Sequence, residues 1–251
     1  MAKQDGIIEL RGSIGNITFR RTKHGLSATK KSSLTAERVA KDASFERTRE
    51  VNNEFKRAGK AAGLTKTAFR LLLQNVKDGS IHYRLLKALM SVITSDSTSD
   101  KGKRHVNAGN INLVKGFDFN NNSTLGKTLF APYSTTIDRA SGQVDFTLPA
   151  FAPRKAINAP AEATHCKIVM AAATIDFTSE QYASNEKETA LLPLDMNVVP
   201  ATTLQAILPA NSISPLLVAA GVQFFMETNG KYYPLKSKAF NPLSIVAADK
   251  V

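Results

Sequence analysis

Ile168-Val-Met-Ala-Ala-Ala-Thr-Ile175 and Leu216-Leu-Val-Ala-Ala-Gly-Val-Gln-Phe-Phe225 are the longest apolar runs of the chain. Each is well short of the roughly 18 to 20 residues that cross a bilayer, so each reads as a buried strand. Outward from them lie further short alternating or apolar runs at 134–139, 143–148, 202–208 and 232–235. Turn signals separate them. The segment 138–142 is one hairpin turn, and Asn229-Gly230 is another between Phe224-Phe225 and Tyr232-Tyr233. Many short strands with turns and no intervening helical period imply an antiparallel sandwich.

The 251 residues suffice for one large or two modest domains and need no disulfide staple. The hydrophobic share of 43% and charged share of 22% are those of a globular chain, which excludes a wholly disordered or fibrous one. The net charge of +12 is the unusual figure. Residues 1–105 hold 22 Lys and Arg against 10 Asp and Glu, whereas residues 106–251 hold 11 of each. All ten prolines fall at or after Pro132. Because proline is excluded from helix interiors and central strands, a helical first part and a strand-and-turn second part follow.

Residues 7–11, 17–21 and 26–31 form short β-prone runs around Ser13-Ile14-Gly15-Asn16 and His24-Gly25, a small antiparallel meander. Three such strands are marginal alone and need a surface to pack on, in the same chain or on a neighbouring subunit. From Thr35, a plausible N-cap with Glu37 in the first turn, the period becomes helical, with a second start at Asp42 or Ser44. Thr48, Val51, Phe55, Ala58 and Ala62 define one apolar face, and Gly63 is placed to end that helix. Ala68, Leu71, Leu72 and Val76 define a second face, and Leu85, Leu86, Leu89 and Ile93 a third, as in a short-loop bundle. Residues 95–109 are polar and aperiodic, a linker or mobile loop.

Chemical motifs are few. Leu125-Gly126-Lys127-Thr128 resembles the end of a phosphate-binding loop, but the earlier glycine it needs is Asn121, and Leu129-Phe130-Ala131-Pro132 does not continue as a helix. His24, His82, His105 and His165 have no metal-ligand spacing. His165 and Cys166 are neighbours on a strand, so their side chains face opposite ways; Cys166 reads as core filler. Ser13 is not in a Gly-x-Ser-x-Gly frame. Pairing Asp118, Asp138, Asp145 or Asp176 as acid and base has no support in their spacing.

The basic residues are the one clear signal. Arg20, Arg21, Lys23, Lys30 and Lys31 lie on the meander. Arg38, Lys41, Arg47, Arg49, Lys56, Arg57 and Lys60 lie on the first helical stretch, and Lys101, Lys103 and Arg104 in the linker. If they converge they bind a polyanion through phosphate contacts. The competing reading is a solvated surface in which edge lysines block strand pairing and Glu46, Glu50 and Glu54 neutralise nearby arginines. The basic half has few aromatics, which argues against base-specific reading. The same layout also suits arm exchange between subunits, with the basic arm facing an acidic segment such as 180–188.

The blocks Gly12-Ser-Ile-Gly-Asn-Ile-Thr-Phe-Arg-Arg-Thr-Lys-His-Gly25, Phe45-Glu-Arg-Thr-Arg-Glu-Val-Asn-Asn-Glu-Phe55 and Gly102-Lys-Arg-His-Val106 resemble an uncharacterised family common in Bacteroidota genomes. The similarity continues through Gly126-Lys-Thr-Leu-Phe-Ala-Pro-Tyr133, Tyr233-Pro-Leu-Lys236 and Ala239-Phe-Asn-Pro-Leu243, nearly the whole chain. It implies one co-inherited architecture and assigns no activity. That family has proline after the aspartate ahead of its Phe-x-Arg-Thr-Arg block; this chain has Ala43 after Asp42, which softens the helix break expected there.

These readings combine into an α+β protein. A basic β-meander and small helical bundle over 1–105 precede an antiparallel β-sandwich over 106–251. The expected function is a non-enzymatic, self-associating structural or assembly protein; the alternative is a sequence-nonspecific nucleic-acid-binding protein. The polyanion set would be Arg20, Arg21, Lys23, Lys30, Lys31, Arg47, Arg49, Lys101, Lys103 and Arg104. The expected partners are a homo-oligomer or polymer and DNA or RNA, with no membrane and no cofactor. The N-terminus has charges every few residues and no apolar signal core, so a cytoplasmic product is expected.

Overall fold

A computed structural model of the chain describes residues 2–3, 9–31 and 34–250. It divides into two compact units, Met1–Glu50 and Val51–Val251.

In the first unit β1 (Ala2–Lys3), β2 (Gly12–Ile14), β3 (Ile17–Thr22) and β4 (Gly25–Lys30) form an antiparallel sheet in the order β1-β4-β3-β2. The expected strands at 17–21 and 26–31 are present as β3 and β4, but the strand paired with β3 is Gly12–Ile14, which runs into the segment expected to turn, while residues 9–11 of the run at 7–11 are irregular and its front lies outside the described residues. Gly15, at φ +55°, turns β2 into β3, a left-handed conformation that glycine adopts without strain. The sheet is followed by α1 (Ala36–Lys41), whose N-cap Thr35 accepts from Arg38 N at 3.1 Å. Asp42 stops α1 with an extended backbone, and its carboxylate accepts from Ser44 N at 2.9 Å to start a 3-10 turn over Ala43–Phe45. The helix break thus forms with alanine at position 43, because the aspartate side chain does the capping.

The second helix, α2 (Glu46–Ala68), runs through Gly63 rather than ending there. A glycine inside a helix costs about 1 kcal/mol relative to alanine, and burial of Ala61, Ala62, Thr65 and Ala68 around it outweighs that. The apolar face expected further forward is not buried: Val51 is 42% and Phe55 54% exposed. After α3 (Arg70–Leu73), where Leu72 is buried and Leu71 exposed, comes α4 (Ile81–Thr94) with Leu85, Leu89 and Ile93 buried as their spacing requires.

The remaining elements are α5 (Leu125–Thr128), β5 (Ser134–Asp138), β6 (Gln143–Leu148), α6 (Pro153–Ala156), β7 (His165–Asp176), β8 (Gln181–Glu188), β9 (Leu192–Pro193), β10 (Thr202–Ile207), β11 (Leu216–Thr228), β12 (Lys231–Pro234) and β13 (Leu243–Asp249). One sheet has the order β10-β6-β5; the other has β12-β11-β7-β8, with β13 also on β11 and β9 also on β7. Every pairing is antiparallel.

The apolar runs in β7 and β11 lack alternation because both faces of their sheet are covered. Cys166, Ile168, Met170 and Ala172 of β7 share a core with Val144, Phe146, Leu148, Leu204 and Ala206 of the smaller sheet. Val169, Ala171, Ala173 and Ile175 share the opposite core with Ala58, Ala62, Leu85 and Leu89 of the helices. Small residues on both sides, the alanines of β7 and of α2, allow the helix backbone to approach the sheet. So the helices are a third layer on the sandwich, not a bundle of their own. For the same reason the division falls at Glu50/Val51 and not near residue 105.

Nor is 95–109 a free linker. The Asp96 carboxylate accepts from Thr98 N, Ser99 N and His105 N. Val106 is buried, and Gly109 N donates to His105 O and Val106 O. A Cβ at Gly109 would lie 2.1 Å from the Val92 carbonyl oxygen at the end of α4. Gly109→Ala is therefore expected to destabilise the fold by about 1–3 kcal/mol, from overpacking against backbone; an unfolding midpoint in denaturant equal to wild type would contradict the close approach.

Buried or partly buried aspartates anchor three of these turns. Hydrogen bonds from Ser179 hold the Asp176 carboxyl down at about 2, with burial working against them and Thr178 N and Asn107 assisting. At Asp78 and Asp96 burial favours the neutral acid, but the donors around each carboxylate outweigh it and both lie well below the ordinary range. Asp118 goes the other way, raised by burial. For the first three the folded value is below the unfolded one, so their stabilisation is complete above about pH 4 and is lost as pH falls towards about 2. The thermal midpoint is expected to drop across that window. Asp176→Asn should start lower at neutral pH and show a shallower drop; parallel curves for the two proteins would contradict the assignment.

Candidate functional site

The period of two along β3, with its register, sorts the first unit's sheet into two chemically different faces. Ile14 lies opposite Ile17, Phe19 opposite Ala28 and Arg21 opposite Leu26. One face therefore carries Ile14, Ile17, Phe19, Leu26 and Ala28, framed by Arg21 at one end and Lys30 at the other. The other carries Ser13, Thr18, Arg20, Ser27 and Thr29, with the Ser13 and Thr18 hydroxyls 3.0 Å apart. None of residues 9–31 and 34–50 is buried, and Ile14 is 62% and Ile17 46% exposed.

The ten expected polyanion-binding residues do not behave as one set. Arg20, Lys23, Lys30 and Lys31 are exposed, and none has a carboxylate partner among the described residues. Arg21 lies 3.7 Å from Glu9, which also lies 3.4 Å from Arg11. Arg20 and Arg21 are on opposite faces of the sheet, so no single flat anion contacts both. Arg47 pairs with Glu50 at 2.7 Å. Arg49 Nη1 donates to Val39 O at 2.9 Å and Asp42 O at 2.7 Å, so this guanidinium satisfies carbonyls at the end of α1.

In the second unit Lys101 is exposed and Lys103 pairs with Asp100 at 3.1 Å, an exposed contact. Arg104 is committed elsewhere. Its Nε donates to Glu54 Oε1 and its Nη2 to Glu54 Oε2, each at 2.7 Å, and the side chains are 14% and 2% exposed. Gly102 N donates to the same Glu54 Oε1 at 2.7 Å. This buried fork closes the 95–109 loop onto α2, so Arg104 is a structural arginine. Glu54 was legible only as a helix-surface carboxylate, because its partner is fifty residues away in sequence.

The other candidate motifs take ordinary places. Leu125-Gly126-Lys127-Thr128 is the four-residue α5, preceded by a loop in which Asn120 Oδ1 accepts from Asn122 N at 3.0 Å. Leu125 N is capped by Asp118 Oδ1 at 3.1 Å, a carboxylate where a phosphate loop would present an unoccupied amide. Cys166 is fully buried, and burial pushes its thiol up to about 12, which leaves no nucleophilic thiolate near neutral pH. His165 Nδ1 is 2.9 Å from Thr164 Oγ1, and its ring meets Tyr232 edge-on. Among the described residues no group of three His, Cys, Asp or Glu is arranged to hold a metal ion. No helix among them is long and apolar enough to cross a membrane.

A scan against protein-family models and searches of curated proteins and of solved structures found no match to this chain.

Proposed function

We propose that this chain is a non-enzymatic, self-associating structural protein whose N-terminal sheet is the association element. One observation carries the reading: a four-stranded sheet with a continuous apolar face, Ile14, Ile17, Phe19 and Leu26, in a unit where none of residues 9–31 and 34–50 is buried. A small sheet without a hydrophobic core is marginal in water. Burying those four side chains gives about 1.5–3 kcal/mol each. A second copy is the occupant that the charges favour, because the edge strand β8 carries Glu186, and Glu188 in a pair with Lys167, complementary to the Arg21 and Lys30 that frame the apolar face.

A second reading rests on a separate observation, the absence of carboxylate partners for Arg20, Lys23, Lys30 and Lys31 among the described residues. These side chains suit a nucleic-acid backbone. Salt separates the two. Burial of the apolar face persists as salt screens both the repulsion between copies that each carry +12 and their Glu–Arg contacts, whereas phosphate binding weakens steeply between about 50 and 200 mM. Light scattering on the full chain across that range should show mass that persists or grows. Assembly that dissolves with rising salt, in step with loss of a bound oligonucleotide, would favour the second reading.

A further inference from the structure

A cleft of about 320 Å³ in the second unit lies between α2, the 95–109 loop and the turn joining β7 to β8. Arg57, Lys60, Lys103, His105, Thr178 and Glu180 line it, three permanent cations to one carboxylate. A second polar cleft, about 350 Å³ beside α5, has a single cation, Lys127.

Arg57 is held in place. Its Nη1 donates to Gly102 O at 2.6 Å and Arg104 O at 3.1 Å, so the loop that Glu54 clamps also orients this guanidinium. Its Nε and Nη2 have no acceptor among the described residues. A fixed guanidinium with two donors still unused matches two oxygens of a phosphate group. Lys60 Nζ lies 2.5 Å from Glu180 Oε1, and the two side chains are 57% and 53% exposed, a pair that solvent weakens. Glu180 sits at φ +57°, a left-handed conformation that a non-glycine residue adopts at a cost. Among the described residues Lys103 is paired with Asp100 alone, an exposed contact. His105 also lines the cleft, and its Nδ1 is buried without a partner among the described residues, where buried polar atoms are ordinarily paired.

We propose that this cleft binds a phosphate-class oxyanion, with Arg57 and Lys60 as its contacts and Glu180 as the resident carboxylate that the ligand displaces. The chemistry is non-covalent, and it is independent of whether the chain self-associates.

Pyrophosphate titrated into the full chain at low ionic strength, followed by calorimetry, is the test. Saturable binding at one site per chain is expected. Lys60→Gln should weaken it by about tenfold, the share of one charge-assisted contact. Glu180→Gln should strengthen it severalfold by removing the competitor, and Lys127→Gln should leave it unchanged. Because Glu180→Gln changes an exposed side chain and predicts a gain, a folding defect cannot mimic it. Displacement of pyrophosphate by a short oligonucleotide would identify a polymer backbone as the phosphate source, and absence of displacement a free phosphate; either supports the cleft. No saturable binding overturns the proposal. Equal weakening by Lys60→Gln and Lys127→Gln reduces the effect to net charge and overturns it, and no gain from Glu180→Gln contradicts the displacement of that carboxylate and overturns it too.

Discussion

Ile17→Asp and Phe19→Asp, made together, are expected to weaken self-association by at least about a hundredfold. Each apolar side chain buried between copies contributes about 1.5–3 kcal/mol, and each introduced carboxylate must be desolvated before the faces meet. The two residues lie on the same face of β3, with Gly12 and Ile14 opposite them on β2 and Ala28 and Lys30 on β4. The matching control is on the other face: Thr18→Asp with Thr29→Asp adds the same charge to the same cross-strand region and should leave the assembled mass unchanged. Sedimentation velocity on the three proteins reads the difference. Equal loss of assembly from both pairs would mean that charge, not the apolar face, governs association.

Glu54→Gln is expected to be the most damaging single substitution at a polar residue, costing about 3–5 kcal/mol of stability. The reason is what remains behind. Arg104 loses the carboxylate that meets both Nε and Nη2, and Gly102 N loses a charged acceptor. A guanidinium whose side chain is 14% exposed then keeps its bond to Thr94 O but loses its charged partner. Replacing both members, Glu54→Leu with Arg104→Met, should cost less than Glu54→Gln alone, since no unpaired charge is left in place. Denaturant unfolding of Glu54→Gln, Glu54→Leu, Arg104→Met and the double variant measures this. If the double variant is as unstable as the sum of its singles, the two side chains are not energetically coupled, and the clamp on the 95–109 loop has another origin.

Local signals in the chain carried their meaning well. The unalternating runs at 168–175 and 216–225 are the two central strands, and Asn229-Gly230 turns β11 into β12 with both residues at positive φ. Thr35 caps α1 as its side-chain chemistry requires. What could not be read locally was set by partners distant in sequence. Gly63 fails to end α2 because strands a hundred residues later cover the helix beside it. Phe55 and Leu71 have core-like spacing yet stay exposed, because a helix lying on a sheet buries a narrower stripe than one inside a bundle. The charge difference between 1–105 and 106–251 is real, but it marks a composition change inside a shared core rather than a domain boundary. Arg104 shows the same limit at the candidate site: a lysine- and arginine-rich segment looks like one patch until a buried carboxylate removes one of its members.

The reading of the N-terminal sheet as an association element has a direct consequence for backbone protection. On that reading residues of β3 and β4 gain a covered face when copies meet, whereas β7 and β11 are covered within one chain. Amide hydrogen exchange on the full chain, compared at nanomolar and at tens of micromolar concentration, therefore tests the central claim. The expected result is slower exchange in β3 and β4 at the higher concentration, with β7 and β11 protected equally at both. Exchange in β3 and β4 that does not change with concentration would contradict it.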